Sequence, residues 1–238
     1  MVVDLNNLKG LPQEFLTKLS KHDMMFSKFS SIEKFEDYKS IHQLITNIDA
    51  WCLNNKVIGY HYTNAIEDDF KKNGILIRPG HEIRNEFIKR NFHLFSSNEQ
   101  DLIISKWEKV FDKEEEDLRD NIIHFNFTKN ALKEGLAVDL LTYYGGEQIN
   151  SALREFPGIR KKLTKIGIPL ILKCTLDPNN IKTFHEYPWG RIAVSSYHKK
   201  INPDAFREDE DGYQAVAVSP ENIEIIRLKR QKNKFRLL

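Results

Sequence analysis

Hydrophobic spacing changes period several times along the chain, and each change marks an element. Over residues 1–55 the period is helical. Leu11-Pro12-Gln13 opens a first helix whose apolar positions are Phe15, Leu16 and Leu19. A second helical run, Tyr38 to Leu53, puts Ile41, Leu44, Ile45, Ile48 and Trp51 on one face. Val57 to Tyr62 is β-branched and aromatic and predicts a strand. Asn64 is placed to cap a helix from Ala65 to Asn73, which Gly74 ends at its C′ position. Ile75-Leu76-Ile77 is a short apolar run closed by the turn signal Arg78-Pro79-Gly80.

Residues 97–120 predict one long helix. Leu102, Ile103, Trp107, Val110, Phe111 and Leu118 form its apolar stripe, and Lys113-Glu114-Glu115-Glu116-Asp117 its solvated side. From Ile122 to Thr128 apolar and polar residues alternate, as in a half-buried strand. Leu136 to Leu153 predicts a helix that Gly145-Gly146 interrupts. The last third predicts strands at Pro169–Leu176, Arg191–Ser195, Tyr213–Val218 and Ile223–Leu228, with Asp177-Pro178-Asn179-Asn180 as a turn and Arg227 to Arg236 as a solvated tail. The elements add up to an α+β chain: a helical N-terminal segment, 1–55, and a main domain, 56–238.

The 238 residues suffice for a substantial core. With Lys+Arg at 36 and Asp+Glu at 34, net charge does not demand a nucleic-acid partner, although a local basic face remains compatible with it. Cys52 and Cys174 sit among apolar residues and predict buried, reduced thiols. No stretch approaches the ~20 apolar residues of a membrane span, and the N-terminus has no secretory pattern, so a cytoplasmic protein is expected. The eight histidines show no metal-ligand spacing; Gly145-Gly146 fits no phosphate-loop pattern; no Gly-x-Ser-x-Gly elbow occurs.

Candidate chemistry lies in four short segments. In His61-Tyr62-Thr63, strand alternation puts His61 and Thr63 on one face and Tyr62 on the other. A histidine at a strand end can donate to a ribose hydroxyl, and the next residue's backbone can clasp a carboxamide. Phe125-Asn126-Phe127-Thr128 offers an aromatic platform on a central strand. Tyr143-Tyr144-Gly145-Gly146-Glu147 joins an aromatic wall, a flexible backbone and a carboxylate. Gln214, beside Val216 and Val218 on an apolar strand face, needs a hydrogen-bonding partner.

Taken in order, these segments resemble the three-part motif of the ADP-ribosyltransferase superfamily: His or Arg on a first strand, an aromatic or hydroxyl residue on a middle one, and usually Glu on the last. His61 with Thr63 resembles the His-x-Thr variant of nucleic-acid-modifying toxins, including phage-defence transferases. The helix and Gly74-Ile75-Leu76 that follow are similar to that group, as is the spacing from Gln214 to Ile223. The similarity spans roughly residues 57–228. It implies a split mixed or antiparallel sheet with an NAD cleft. It also implies Tyr62 backbone on nicotinamide, His61 on a ribose hydroxyl, Thr63 beside it, and Tyr143, Tyr144 or Phe127 stacking.

The chain departs from the family at Gln214, where active members usually carry Glu. An amide can hold a ribose hydroxyl but cannot supply negative charge to an oxocarbenium-like centre. Glu147 is the expected catalytic substitute, with Gln214 assisting; Glu210 is a further carboxylate before the last strand. NAD is then a substrate and no metal is needed. The resemblance implies a toxin-like glycosyltransferase acting on RNA or DNA, with an antitoxin or immunity protein as a possible partner; the alternatives are protein modification, a non-catalytic binding module, or an RNA 2′-phosphotransferase. Lys71, Lys72, Arg78, Arg84, Lys89, Arg90, Arg160, Lys161 and Lys162 are the candidate phosphate contacts.

Overall fold

The computed structural model describes residues 1–114, 119–133, 135–208, 211–231 and 234–237. Glu115, Glu116, Asp117 and Leu118 of the predicted long helix, and Glu210, lie outside the described residues. The architecture is α+β. In chain order the strands are β1 (Val2–Val3), β2 (Lys56–Ala65), β3 (Ile123–Asn126), β4 (Ile168–Leu176), β5 (Lys182–Thr183), β6 (Asp211–Gln214), β7 (Ile223–Gln231) and β8 (Lys234–Leu237). The longer helices are α1 (Gln13–Ser20), α2 (Asp23–Lys28), α3 (Lys39–Leu53), α4 (Glu67–Asn73), α5 (Gly80–Asn91), α6 (Ser97–Val110), α7 (Val138–Thr142), α8 (Gly146–Asn150), α9 (Pro157–Leu163) and α10 (Pro188–Ile201). The chain forms two compact units.

The first unit gathers Met1–Tyr60, His124–Lys133 and Cys174–Gln214, so the N-terminal helices share it with later segments. Its strands run in the order β5-β6-β3-β2, with β1 parallel to β2. Tyr60 pairs with Asn126 in antiparallel register, and Lys182 with Tyr213. The apolar face of α3 is as predicted, with Ile41, Leu44, Ile45 and Ile48 buried. α10 crosses it where residue 190 is glycine: a Cβ there would lie 2.0 Å from the Ile45 carbonyl oxygen. Asp49 joins the same two helices, its buried carboxylate accepting from Trp189 N at 2.9 Å and Gly190 N at 3.3 Å. Burial pushes its carboxyl above the ordinary range, and the two N–H donors oppose that shift.

α10 corrects the strand predicted at Arg191–Ser195. Residues 192–198 are all buried, so the run carries no polar stripe to reveal a 3.6 period. Pro188, in the first turn, is the start signal that decides for a helix.

The second unit gathers His61–Ile123, Glu134–Lys173 and Ala215–Leu238. Its strands run β2-β4-β7-β8, with β7 and β8 antiparallel and Leu228 opposite Leu237. The basic C-terminal segment thus contributes two paired strands where the sequence predicts a tail. Phe87, Phe95, Ile103, Trp107, Ile149 and Leu163 lie in one apolar cluster. Trp107 Nε1 donates to the Ile149 carbonyl at 3.2 Å, giving the buried indole its partner. Ser96 and Glu99 form a capping box at the start of α6. That helix ends at Val110 and not near 120, because Phe111 leaves helical geometry. Gly74 sits at φ 68°, a conformation that favours glycine, and closes α4 as predicted. The thiols of Cys52 and Cys174 are buried, and burial pushes each up to about 12.

Candidate functional site

β2 is buried along most of its length. In the second unit its last residues are His61, half-buried, and Tyr62, Thr63 and Asn64, all buried. Asn64 does not cap α4; Ile66 occupies that position. Instead Asn64 Nδ2 donates to the carbonyl oxygens of Leu141, at 3.3 Å, and Thr142, at 3.1 Å. Its own carbonyl accepts from Gly145 N at 3.2 Å, and Asn64 bridges to Tyr144 in parallel fashion. One asparagine therefore holds the segment from Leu141 to Gly145 against the end of the His61-Tyr62-Thr63 strand.

The segment reaches that strand because the predicted 136–153 helix is broken. α7 stops at Thr142, Tyr143 is extended, Gly145 takes the left-handed region at φ 83°, and α8 begins at Gly146. Gly167 lets another backbone stretch come close. A Cβ there would lie 2.7 Å from the Ala65 carbonyl oxygen and 2.9 Å from Asn64 Oδ1. Asn64 Oδ1 and Thr142 Oγ1 are buried with no hydrogen-bond partner among the described residues. Two such oxygens beside the strand end mark a place where a donor is missing.

Tyr143 and Tyr144 are partly buried against the apolar cluster. The Arg160 guanidinium lies 3.8 Å from the Tyr143 ring centroid, so one face of that ring is covered by a cation. Tyr144 packs near Phe87, with ring centroids 6.0 Å apart. Burial pushes the Tyr144 phenol above its ordinary range, the Arg90 charge opposing it. Glu147, in the first turn of α8, is exposed and pairs with Arg119 at 2.6 Å.

Phe127 and Gln214 belong to the first unit. Phe127 is fully buried and meets Trp189 edge-on at 4.7 Å, so its ring is occupied by packing and has no face left for a ligand. Gln214 ends β6 where the sequence predicts the opening of a longer strand. Its side chain is 4% exposed, whereas Ala215, Val216 and Ala217 turn outward, and only Val218 returns to a bridge with Ile75.

Most of the predicted phosphate contacts are already neutralised. Lys71 pairs with Glu67, Arg78 with Glu86, Arg90 with Asp69, and Lys162 with Glu99. Arg84 is buried, donating to Gln148 Oε1 at 2.6 Å and lying over Phe111. Among the described residues, no group of three His, Cys, Asp or Glu side chains could hold a metal, and no helix is long and apolar enough to cross a membrane. Sequence reading missed Asn64, because its partners are backbone carbonyls about 80 positions away. No family model matches the chain, and no curated protein or solved structure matches it either.

Proposed function

We propose that the chain is an ADP-ribosyltransferase-like enzyme that takes NAD as substrate and transfers ADP-ribose to a macromolecular acceptor, RNA or DNA. The observation that supports it is the Asn64 clasp. It joins the His-x-Thr strand to the Tyr-Tyr-Gly-Gly-Glu segment within one unit, although the two are far apart in sequence. In this reading the Tyr62 backbone clasps the nicotinamide carboxamide and His61 donates to a ribose hydroxyl. Tyr143 or Tyr144 meets the ring. The bond from the anomeric carbon to nicotinamide breaks, nicotinamide leaves with the bonding electron pair, and an acceptor nucleophile attacks the same carbon and then loses its proton. Glu147 supplies negative charge to the cationic ribose once it is released from Arg119. A toxin-like role in phage defence, held in check by an antitoxin or immunity protein, and a cytoplasmic location belong to the same proposal.

A non-catalytic NAD-binding module is the second reading. It is favoured by Gln214 in place of a carboxylate and by the Glu147–Arg119 pair. The two readings part on one experiment. Protein is incubated with NAD labelled in its adenylate phosphate, together with RNA, single-stranded DNA or cell lysate. Label transferred to one pool, and lost in His61→Ala, supports the transferase and names its acceptor. NAD binding without transfer or nicotinamide release supports the binding module.

A further inference from the structure

One concavity of the second unit, about 310 Å³ in volume, is lined by Arg154, Arg160, Lys161 and Arg230 together with Tyr143 and Thr164. The cations come from distant parts of the sequence: Arg154 just before α9, Arg160 and Lys161 on α9, and Arg230 on β7. Arg160 is committed locally, to Asn150 Oδ1 at 3.1 Å, to Asp139 at 3.0 Å and to the Tyr143 ring. Arg154, Lys161 and Arg230 are exposed and have no ion-pair partner among the described residues. This sets them apart from Lys71, Arg78, Arg90 and Lys162, each of which holds a carboxylate. Like charges gathered in one concavity repel, and a bound anion relieves that repulsion.

We infer that this concavity binds the phosphodiester backbone of single-stranded nucleic acid. Guanidinium groups match phosphate oxygens in paired hydrogen bonds, and Lys161 adds a point charge. A concave cavity of this volume takes one phosphate with its sugar. A flexible single strand can turn such a unit inward, whereas a duplex presents its phosphates on a convex surface. The inference goes beyond the proposed transferase, since backbone binding requires no NAD; where that reading holds, the site positions the acceptor.

The test uses the full chain and a fluorescein-labelled single-stranded RNA or DNA 12-mer, with binding followed by anisotropy from 50 to 200 mM NaCl. The triple variant Arg154→Ala/Lys161→Ala/Arg230→Ala alters exposed side chains only. The control Lys21→Ala/Lys39→Ala/Lys109→Ala changes net charge equally at exposed positions that do not line the concavity. The site variant is expected to bind roughly tenfold or more weakly at 100 mM salt, with the slope of log affinity against log salt reduced by about 2. The control is expected to keep both affinity and slope. No binding by the unaltered chain, unchanged affinity in the site variant, or an equal loss in the control would overturn the inference. Nicotinamide release is measured on the same samples: its absence throughout counts against the transferase alone, and its persistence after loss of oligonucleotide binding separates the two sites.

Discussion

Replacing Asn64 with alanine removes both side-chain bonds that hold the Leu141–Gly145 segment to the end of β2 and leaves the backbone bond from Gly145 N. Each neutral bond contributes about 0.5–1.5 kcal/mol net, and the carbonyls of Leu141 and Thr142 lose a partner. Against this, the variant also deletes the unpartnered Oδ1, which offsets part of the loss. The balance is a local destabilisation of about 1–3 kcal/mol. Native-state hydrogen exchange reads it directly, because the segment can open without global unfolding. Amides of residues 138–150 should exchange between about fivefold and 150-fold faster, at 1.36 kcal/mol per decade. Amides of α3, in the other unit, should not change. Asn64→Asp replaces the donating amide with a carboxylate facing two carbonyl oxygens, which raises the folded-state pKa of that group. A raised folded pKa gives stability that is present in acid and lost as pH rises, so this variant should be worse than alanine at neutral pH and recover on acidification. Unchanged exchange over 138–150 in Asn64→Ala would refute the reasoning.

Gly167→Ala should lower the thermal midpoint far more than Gly146→Ala. Both positions have positive φ, but a Cβ at 167 meets the Ala65 carbonyl at 2.7 Å, whereas nothing lies within 4 Å at 146. Asp49→Ala should cost about 0.5–2 kcal/mol in denaturant titrations by leaving the Trp189 and Gly190 amides without their acceptor. Asp49→Asn should keep an acceptor and avoid the buried charge. Because burial raises the Asp49 pKa, its stability contribution is complete in acid and falls as pH rises, so Asp49→Asn should narrow the difference in stability between mildly acid and neutral pH. Phe127→Leu should reduce stability through lost packing on Trp189 while leaving NAD turnover per folded molecule unchanged, and His61→Ala should do the reverse.

Elements with a clear period and clear ends were legible in the sequence. α3 and β4 were found within a residue of their predicted limits, because one has a wet face and the other a continuous apolar run bounded by turns. α10 was not, since burial on all sides erased its period. The strand expected from Tyr213 to Val218 stops at Gln214, and Ala215, Val216 and Ala217 are all exposed, so their apolar character did not mark a buried face. At the candidate site, the segments were visible as unusual residue combinations. Their juxtaposition was not, because it is made by a side chain bonding to main-chain carbonyls, which leave no trace in composition. The basic concavity was half legible: Arg160 and Lys161 stand together in sequence, but Arg154 and Arg230 join them only through the fold.

Release of nicotinamide from NAD tests the central claim most directly, because it follows glycosidic cleavage whatever the acceptor. The purified chain, with and without single-stranded RNA or DNA, should release nicotinamide in a time-dependent manner. His61→Ala should abolish the release while the protein stays folded. No release and no binding of NAD by the unaltered chain would contradict the claim.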